Sequence, residues 1–274
     1  MMRIASCAVV AAALATALWA QESADQKQTS VEQIPVAVRT LTVTATDKPA
    51  VDLRSMMAPF EGGSYTVDDL EGRIQQKLRD NGFYLAQVAT PQLSNVKQEG
   101  GKRSADVSVQ VTAGDQYTMG QITFRATTQF KKEQMRSVFP IAAGSVFNAN
   151  AINVGIEKLK ALYEAQGFAD VGAVPSMAVD DEHHVIDVSI EVEEGYPYLF
   201  GELTFEGPEP MPGTNKSLLA GWSEIAGKRY NPALLEKWLA AHAPKSAPGA
   251  PAIHPRAEGI ADTDAHLMNV RLVY

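Results

Sequence analysis

Cysteine is almost missing from this chain, long apolar runs are confined to one end, and its cations are scattered. Each shortage removes a class of explanation. Cys7 is the single cysteine of the 274 residues, and it lies in a segment read below as removed on export. The remainder then has no disulfide, no thiol nucleophile and no thiolate metal ligand, so ordinary hydrophobic cores must hold it together. Lys and Arg number 24 against 32 Asp and Glu, a formal charge of −8, which becomes −9 once Arg3 is lost. No basic run exceeds Lys102-Arg103 or Lys131-Lys132. Nucleic acid and anionic lipid both need concentrated positive surface, and are poor partners for such a chain.

The one long apolar run is MMRIASCAVVAAALATALWA, behind a lone cation and ahead of Gln21-Glu22-Ser23. It reads as a secretory signal peptide over 1–20, being short and Ala-rich for a spanning helix. Cleavage after Ala17 stays open because Leu18 is a poor minus-three residue, and retention as an anchor is the alternative. Ile4-Ala5-Ser6-Cys7 superficially resembles a lipoprotein box, but no apolar stretch precedes it. Residues 21–33 are polar and read as a disordered leader. Beyond them no stretch nears the ~18 apolar residues of a membrane helix, so the mature chain reads as soluble.

What is present is a repeat. GDQYTMGQITF (114–124) and GYPYLFGELTF (195–205) share G-x-x-Y-x-x-G-x-[Ile/Leu]-T-F. Upstream, Asp106-Val107-Ser108-Val109-Gln110-Val111 aligns at the same offset with Asp187-Val188-Ser189-Ile190-Glu191-Val192. Both alternate polar and apolar residues, the pattern of a strand with one buried face. Their apolar members are core candidates. One strand therefore closes a module and another opens the next, with glycine turns at Gly114, Gly120, Gly195 and Gly201. Tyr117 and Tyr198 are expected to pack at these module junctions.

Helical patterns repeat between the strands. Leu70, Ile74 and Leu78 run to Gly82-Phe83, and Ile152, Leu159 and Tyr163 run to Gly167-Phe168. A terminal glycine suits the left-handed residue that ends a helix. Tyr65-Thr66, Phe147-Asn148 and Tyr230-Asn231 each pair an aromatic staple with a helix cap. The first copy is longer, and QEGGKRS reads as its exposed loop. The third copy departs from the pattern: Ala243-Pro244-Lys245-Ser246 stands where Gly-Phe should, and a Pro-rich run from Pro244 to Pro255 replaces the expected strand. The closing strand returns at Val270, Leu272 and Tyr274. The expected domains are 34–115, 116–195 and a degenerate 196–274.

This order, with its Gly-aromatic helix ends and its strands running into a glycine before G-x-[Ile/Leu]-x-F, resembles the POTRA domain. Residues 159 to 207 carry the likeness most strongly. Similar arrays form the periplasmic region of outer-membrane β-barrel assembly factors of the BamA and TamA type. The resemblance implies an α+β fold: a tandem array of three β-α-α-β-β modules, each a three-stranded mixed sheet covered by two helices. A membrane barrel needs at least about eight strands of about ten residues. Three modules use up this chain at Tyr274, so a barrel-less relative, a fragment or an accessory to a separate barrel is expected.

The resemblance also implies that the second strand of each module is an exposed edge, here Ala86–Leu93 and Val171–Val179. The candidate protein-binding residues are Ala86, Gln87, Val88, Val171, Gly172, Ala173 and Val174. An extended chain could pair there through its main chain, with Pro91 and Pro175 each removing a donor. The expected partners are unfolded outer-membrane proteins or a separate β-barrel or assembly-complex protein, met in the periplasm beside the outer membrane. No cofactor, metal or catalytic residue is expected. Asp180-Asp181-Glu182-His183-His184 reads as a charged hairpin turn, and Asp262-Thr263-Asp264 lacks the oxygen spacing of a calcium loop. Leu272-Val273-Tyr274 also resembles the terminal signal of a barrel substrate, although a closing strand explains it. Two rivals stay open: an adaptor that docks one fixed partner, and a secreted hydrolase of small α+β domains, for which no G-x-S-x-G elbow is present.

Overall fold

A computed structural model describes residues 34–49, 51–242 and 255–274. The expected signal peptide, the leader and most of the Pro-rich run lie outside the described residues. The chain divides into two compact units. The first ends at Thr118 and takes in Gly144–Ala149; the second is Met119–Ala143 with Asn150 onward.

In the first unit, β1 (Val36–Ala45) leads to a short helix α1 (Leu53–Met57) and a 3-10 turn at Ala58–Phe60. Then come β2 (Ser64–Tyr65), the longer helix α2 (Val67–Arg79), β3 (Gln87–Val88), β4 (Gln92–Glu99) and β5 (Lys102–Thr112). Helix α2 starts where the Thr66 hydroxyl accepts the Asp69 N–H at 3.1 Å, and it buries Val67, Leu70, Ile74 and Leu78 along one stripe. Gly82 ends it at φ +88°, with the Phe83 N–H returning to the Leu78 carbonyl at 3.0 Å. β5 is central, parallel to β1 and antiparallel to β3 and β4. Val107, Val109 and Val111 alternate into a core with Val38, Leu41, Leu70, Ile74 and Leu78.

QEGGKRS is not the loop expected. Strand pairing runs to Glu99↔Lys102, and Gly100 and Gly101 alone make the turn, at φ +56° and +77°. Two successive positive φ values match the twist of a two-residue hairpin. The edge beside β5 is broken where Pro91 separates β3 from β4, as expected of a residue lacking a ladder donor.

The first unit's sheet thus has five strands where three were expected, because β2 and the split edge β3/β4 add to it; the second unit holds two sheets of three strands each. β6 (Thr118–Arg125, whose first residue belongs to the first unit) precedes α3 (Lys132–Ser137), α4 (Ala149–Glu164), β7 (Gly172–Asp180) and β8 (Val185–Glu193), with strand order β6-β8-β7. Helix α4 buries Ile152, Leu159 and Tyr163, and β8 buries Ile186, Val188, Ile190 and Val192. β9 (Leu199–Glu206), α5 (Thr214–Trp222), α6 (Pro232–His242), β10 (Arg256–Asp262) and β11 (Leu267–Val273) follow, ordered β10-β11-β9. Phe200, Leu203, Leu218, Trp222, Leu235, Trp238, Val270 and Leu272 share a separate core.

The third copy therefore has its second strand, contrary to the expected replacement by proline. RAEGIAD, just after the Pro-rich run, pairs without a break from Arg256↔Val273 to Asp262↔Leu267. In all, the fold is mixed α+β, with strand-helix-helix-strand-strand modules following one another in sequence.

Candidate functional site

Two features invite attention: the repeated glycine-tyrosine segment and the free strand edges. In the repeated segment, Gly114 and Gly195 take φ +69° and +64°, a region that costs residues with a Cβ about 1–2 kcal/mol. The tyrosines act through their main chains as well as their rings. In the first unit the Tyr117 N–H donates to the Gly82 carbonyl at 2.9 Å, and the Tyr117 carbonyl accepts from Phe147 at 2.9 Å. In the second unit Tyr198 donates to Gly167 at 2.8 Å and accepts from Tyr230 at 2.9 Å. Each tyrosine thus links the glycine that ends one helix to the aromatic that precedes another. Both rings are buried.

The Tyr198 hydroxyl also donates to the Asp170 carboxylate. That bond, with burial added, pushes the phenol up to about 12. Gly120 and Gly201 are not the turns expected: they lie inside β6 and β9 with ordinary φ, and serve closeness instead. A Cβ on Gly201 would overlap Asn269 Oδ1, and one on Gly120 would overlap Asp187 Oδ1. Those oxygens accept the next N–H along, Glu202 at 2.7 Å and Gln121 at 2.6 Å. The register slips at this point in β9. The glycine, the bulge and the acceptor form one device. Asp106 occupies the corresponding place in the first sheet, opposite the slip at Arg39 in β1, and accepts from Thr40 Oγ1 at 3.1 Å.

Glu194 gathers four donors just past the end of β8. They are the Thr128 N–H at 2.7 Å, Thr128 Oγ1 at 2.5 Å, the Gln129 N–H at 3.0 Å and the Tyr163 hydroxyl at 2.8 Å. Burial raises its carboxyl, but these donors outweigh burial and hold it below the usual range. Their signal was available only as an acidic residue before Gly195. The site ties the loop at Thr128–Gln129 to helix α4 through Tyr163.

The free edges differ in quality. β7 lies at the margin of its sheet, and its nine residues pair with β8 in unbroken register from Gly172↔Glu193 to Asp180↔Val185. Every second residue of such a strand turns its main-chain groups outward. Val174 is 63% exposed. The proposed residues Gly172, Ala173 and Val174 lie on this strand, while Val171 precedes it and is buried. In the first unit Ala86 is buried too, and its carbonyl is taken by Gln75 Nε2 at 2.7 Å. Gln87 and Val88 make only a two-residue strand. β4 carries a slip between Ser94 and Lys97, with Asn95 at φ +49°, and such a bulge twists an edge away from further pairing. β7 is regular over nine residues, longer than β10, which also lies at the margin of its sheet and pairs without a break over seven.

The metal-like stretches are turns. Asp180 Oδ1 accepts the Glu182 and His183 N–H groups, and Asp262 Oδ1 accepts that of Ala265. No helix among the described residues is long and apolar enough to cross a membrane.

Comparison with known proteins places this geometry. Residues 117–195 match the family model described as POTRA, surface antigen variable number repeat. Among solved structures, the chain is similar to POTRA domains 3–5 of Haemophilus influenzae BamA, with a TM-score of 0.60 and 16% identity over 87% of this chain and 96% of that one. POTRA domains 1–3 of Omp85 from Anabaena match at a TM-score of 0.36 with 15% identity, covering 87% of this chain and 95% of that one. CdiB from Acinetobacter baumannii matches at 0.28 with 13% identity, covering 70% of this chain and 39% of that one. The fold assignment rests on the first of these three. A search of curated proteins gives no match.

Proposed function

We propose that this chain is a non-enzymatic protein-binding scaffold of the periplasm, acting in outer-membrane protein assembly or translocation, with modules at 34–115, 116–195 and 196–274. It takes hold of extended segments of client or partner proteins by adding them as a further strand to β7. The family match over 117–195 supports the class of role. The observation that carries the binding mode is the nine-residue, regularly paired margin of β7.

Main-chain hydrogen bonds along such an edge give affinity that is broadly independent of client sequence. That suits the handling of unfolded barrel strands. Pro175 interrupts the donor row once and caps the length of uninterrupted pairing. Gly172 and Ala173 keep the approach unobstructed.

A photo-activated crosslinker at Ala173 or Val174 tests the reading in cells. Many unfolded outer-membrane proteins trapped at these positions support client handling. A single stable partner would replace it with a fixed adaptor, and no protein adduct at either position would remove the β7 reading.

A further inference from the structure

We propose that the β7 edge selects an extended segment whose side chains alternate between apolar and cationic, with the cations over the open face of the sheet. The inference rests on the docking reading above and adds the partner's chemistry to it.

The pairing register sets out the open face in rows. On β7 the exposed positions are Val174, Ser176, Ala178 and Asp180, with Gly172 leading them. Directly behind, on β8, stand Glu193 opposite Gly172, Glu191 opposite Val174, Ser189 opposite Ser176 and Asp187 opposite Ala178. The outer row is thus small and mostly uncharged, and the next row in is acidic. Neighbouring strands lie about 4.8 Å apart, so a Lys or Arg on an added strand can lay its stem across the small residues and reach that second row.

Glu193 already leans toward the margin. Its Oε2 lies 3.4 Å from where a Cβ on Gly172 would stand, a position the missing side chain leaves clear. Among the described residues neither Glu191 nor Glu193 is in an ion pair or hydrogen bond through its carboxylate. Asp187 is occupied by the Gln121 N–H and contributes charge alone. The only cation on the three strands is Arg125, the last residue of β6, on the far side of β8.

The wider sequence reinforces the sign. Between Lys160 and Lys216 there is no Lys or Arg, while twelve Asp and Glu occur. Acidic residues mark both ends of the edge: Asp170 and Glu193 at one, Asp180, Asp181 and Glu182 at the other. A surface of one sign raises the local concentration of the opposite one and steers its approach. The other face of β7 offers Ala173, Pro175, Met177 and Val179, all half-buried. The intervening residues of the partner meet that apolar row, which makes the favoured partner an alternating strand and disfavours a uniformly basic tail.

Three fluorescein-labelled peptides of nine residues, the length of β7, test this on the full chain by anisotropy. One alternates Val with Lys, one Val with Thr and one Val with Glu. The Val–Lys peptide should bind about tenfold tighter than Val–Thr, as partly screened pairs allow, and Val–Glu weakest. The preference should shrink as salt rises from about 20 mM to about 0.5 M. It should also vanish in the double variant Glu191→Gln, Glu193→Gln, whose exposed substitutions leave the core untouched. A crosslinker at Val174 reports where each peptide sits.

Equal binding of all three peptides, with adducts at Val174, would overturn the charge selectivity and leave strand docking in place. Val–Lys preference that survives the double variant would overturn it as well. Absence of binding, or adducts missing from Val174, would overturn docking and selectivity together.

Discussion

If the second glycine of the repeated motif exists to admit an acceptor, then Gly201→Ala and Asn269→Ala must not be additive. A Cβ on Gly201 overlaps Asn269 Oδ1 and lies 3.1 Å from Leu267 Cβ. Gly201→Ala alone should therefore destabilise by about 1–3 kcal/mol, the usual cost of overpacking a fixed site. Asn269→Ala alone removes the acceptor of the Glu202 N–H, worth about 0.5–1.5 kcal/mol. The double variant removes the clash with the oxygen and should recover about 1 kcal/mol relative to the sum of the singles. Trp222 and Trp238 both lie in this core, so tryptophan fluorescence in urea, in a Trp19→Phe background, reads it locally. With a slope of about 1 kcal/mol per molar, Gly201→Ala should lower the midpoint by about 1–3 M. Strict additivity, or a shift under about 0.5 M for Gly201→Ala, would refute the reasoning.

Three further outcomes are expected. Gly167→Ala combines a φ of +89° with a Cβ only 2.7 Å from Arg229 Cγ and 3.1 Å from the Tyr198 carbonyl; it should cost about 1–3 kcal/mol, measured by thermal unfolding. Glu194 has a lowered folded pKa, so its contribution is full above the ordinary value of 4.5 and is lost as pH falls through the folded value. Glu194→Gln should flatten that acid limb and cost about 1 kcal/mol at neutral pH. Tyr198, raised to about 12 from 10.0, contributes below pH 10 and loses that contribution as pH rises toward 12. Tyr198→Phe should remove this alkaline limb in urea titrations taken at successive pH values.

The doubling of 114–124 at 195–205 made the module order legible, because strand alternation and Gly-aromatic helix ends are local signals. Gly82 and Gly167 could be read directly: a left-handed residue followed by a returning aromatic has a composition of its own. The bulges could not. A bulge is one extra residue in one strand, and alternation blurs across it, so the roles of Asp187 and Asn269 emerge only when two strands are laid side by side. β10 was missed for a related reason. RAEGIAD has small and charged residues and one β-branched side chain, and it becomes a strand through its pairing with β11, a tertiary effect that outweighs propensity. QEGGKRS was misjudged because its glycines marked a loop when they marked the two-residue turn of a continuing hairpin. The candidate edge was legible only through resemblance. Its register, and the acidic row behind it, required the sheet.

The central claim is that foreign main chain pairs along the open side of β7. Amide hydrogen exchange across Gly172–Asp180, with and without an unfolded outer-membrane β-barrel protein, asks this directly. Slowed exchange at alternate amides of β7, skipping Pro175, with β4 and β10 unchanged, is the predicted result. Binding that leaves every β7 amide exchanging at its free rate would contradict the account.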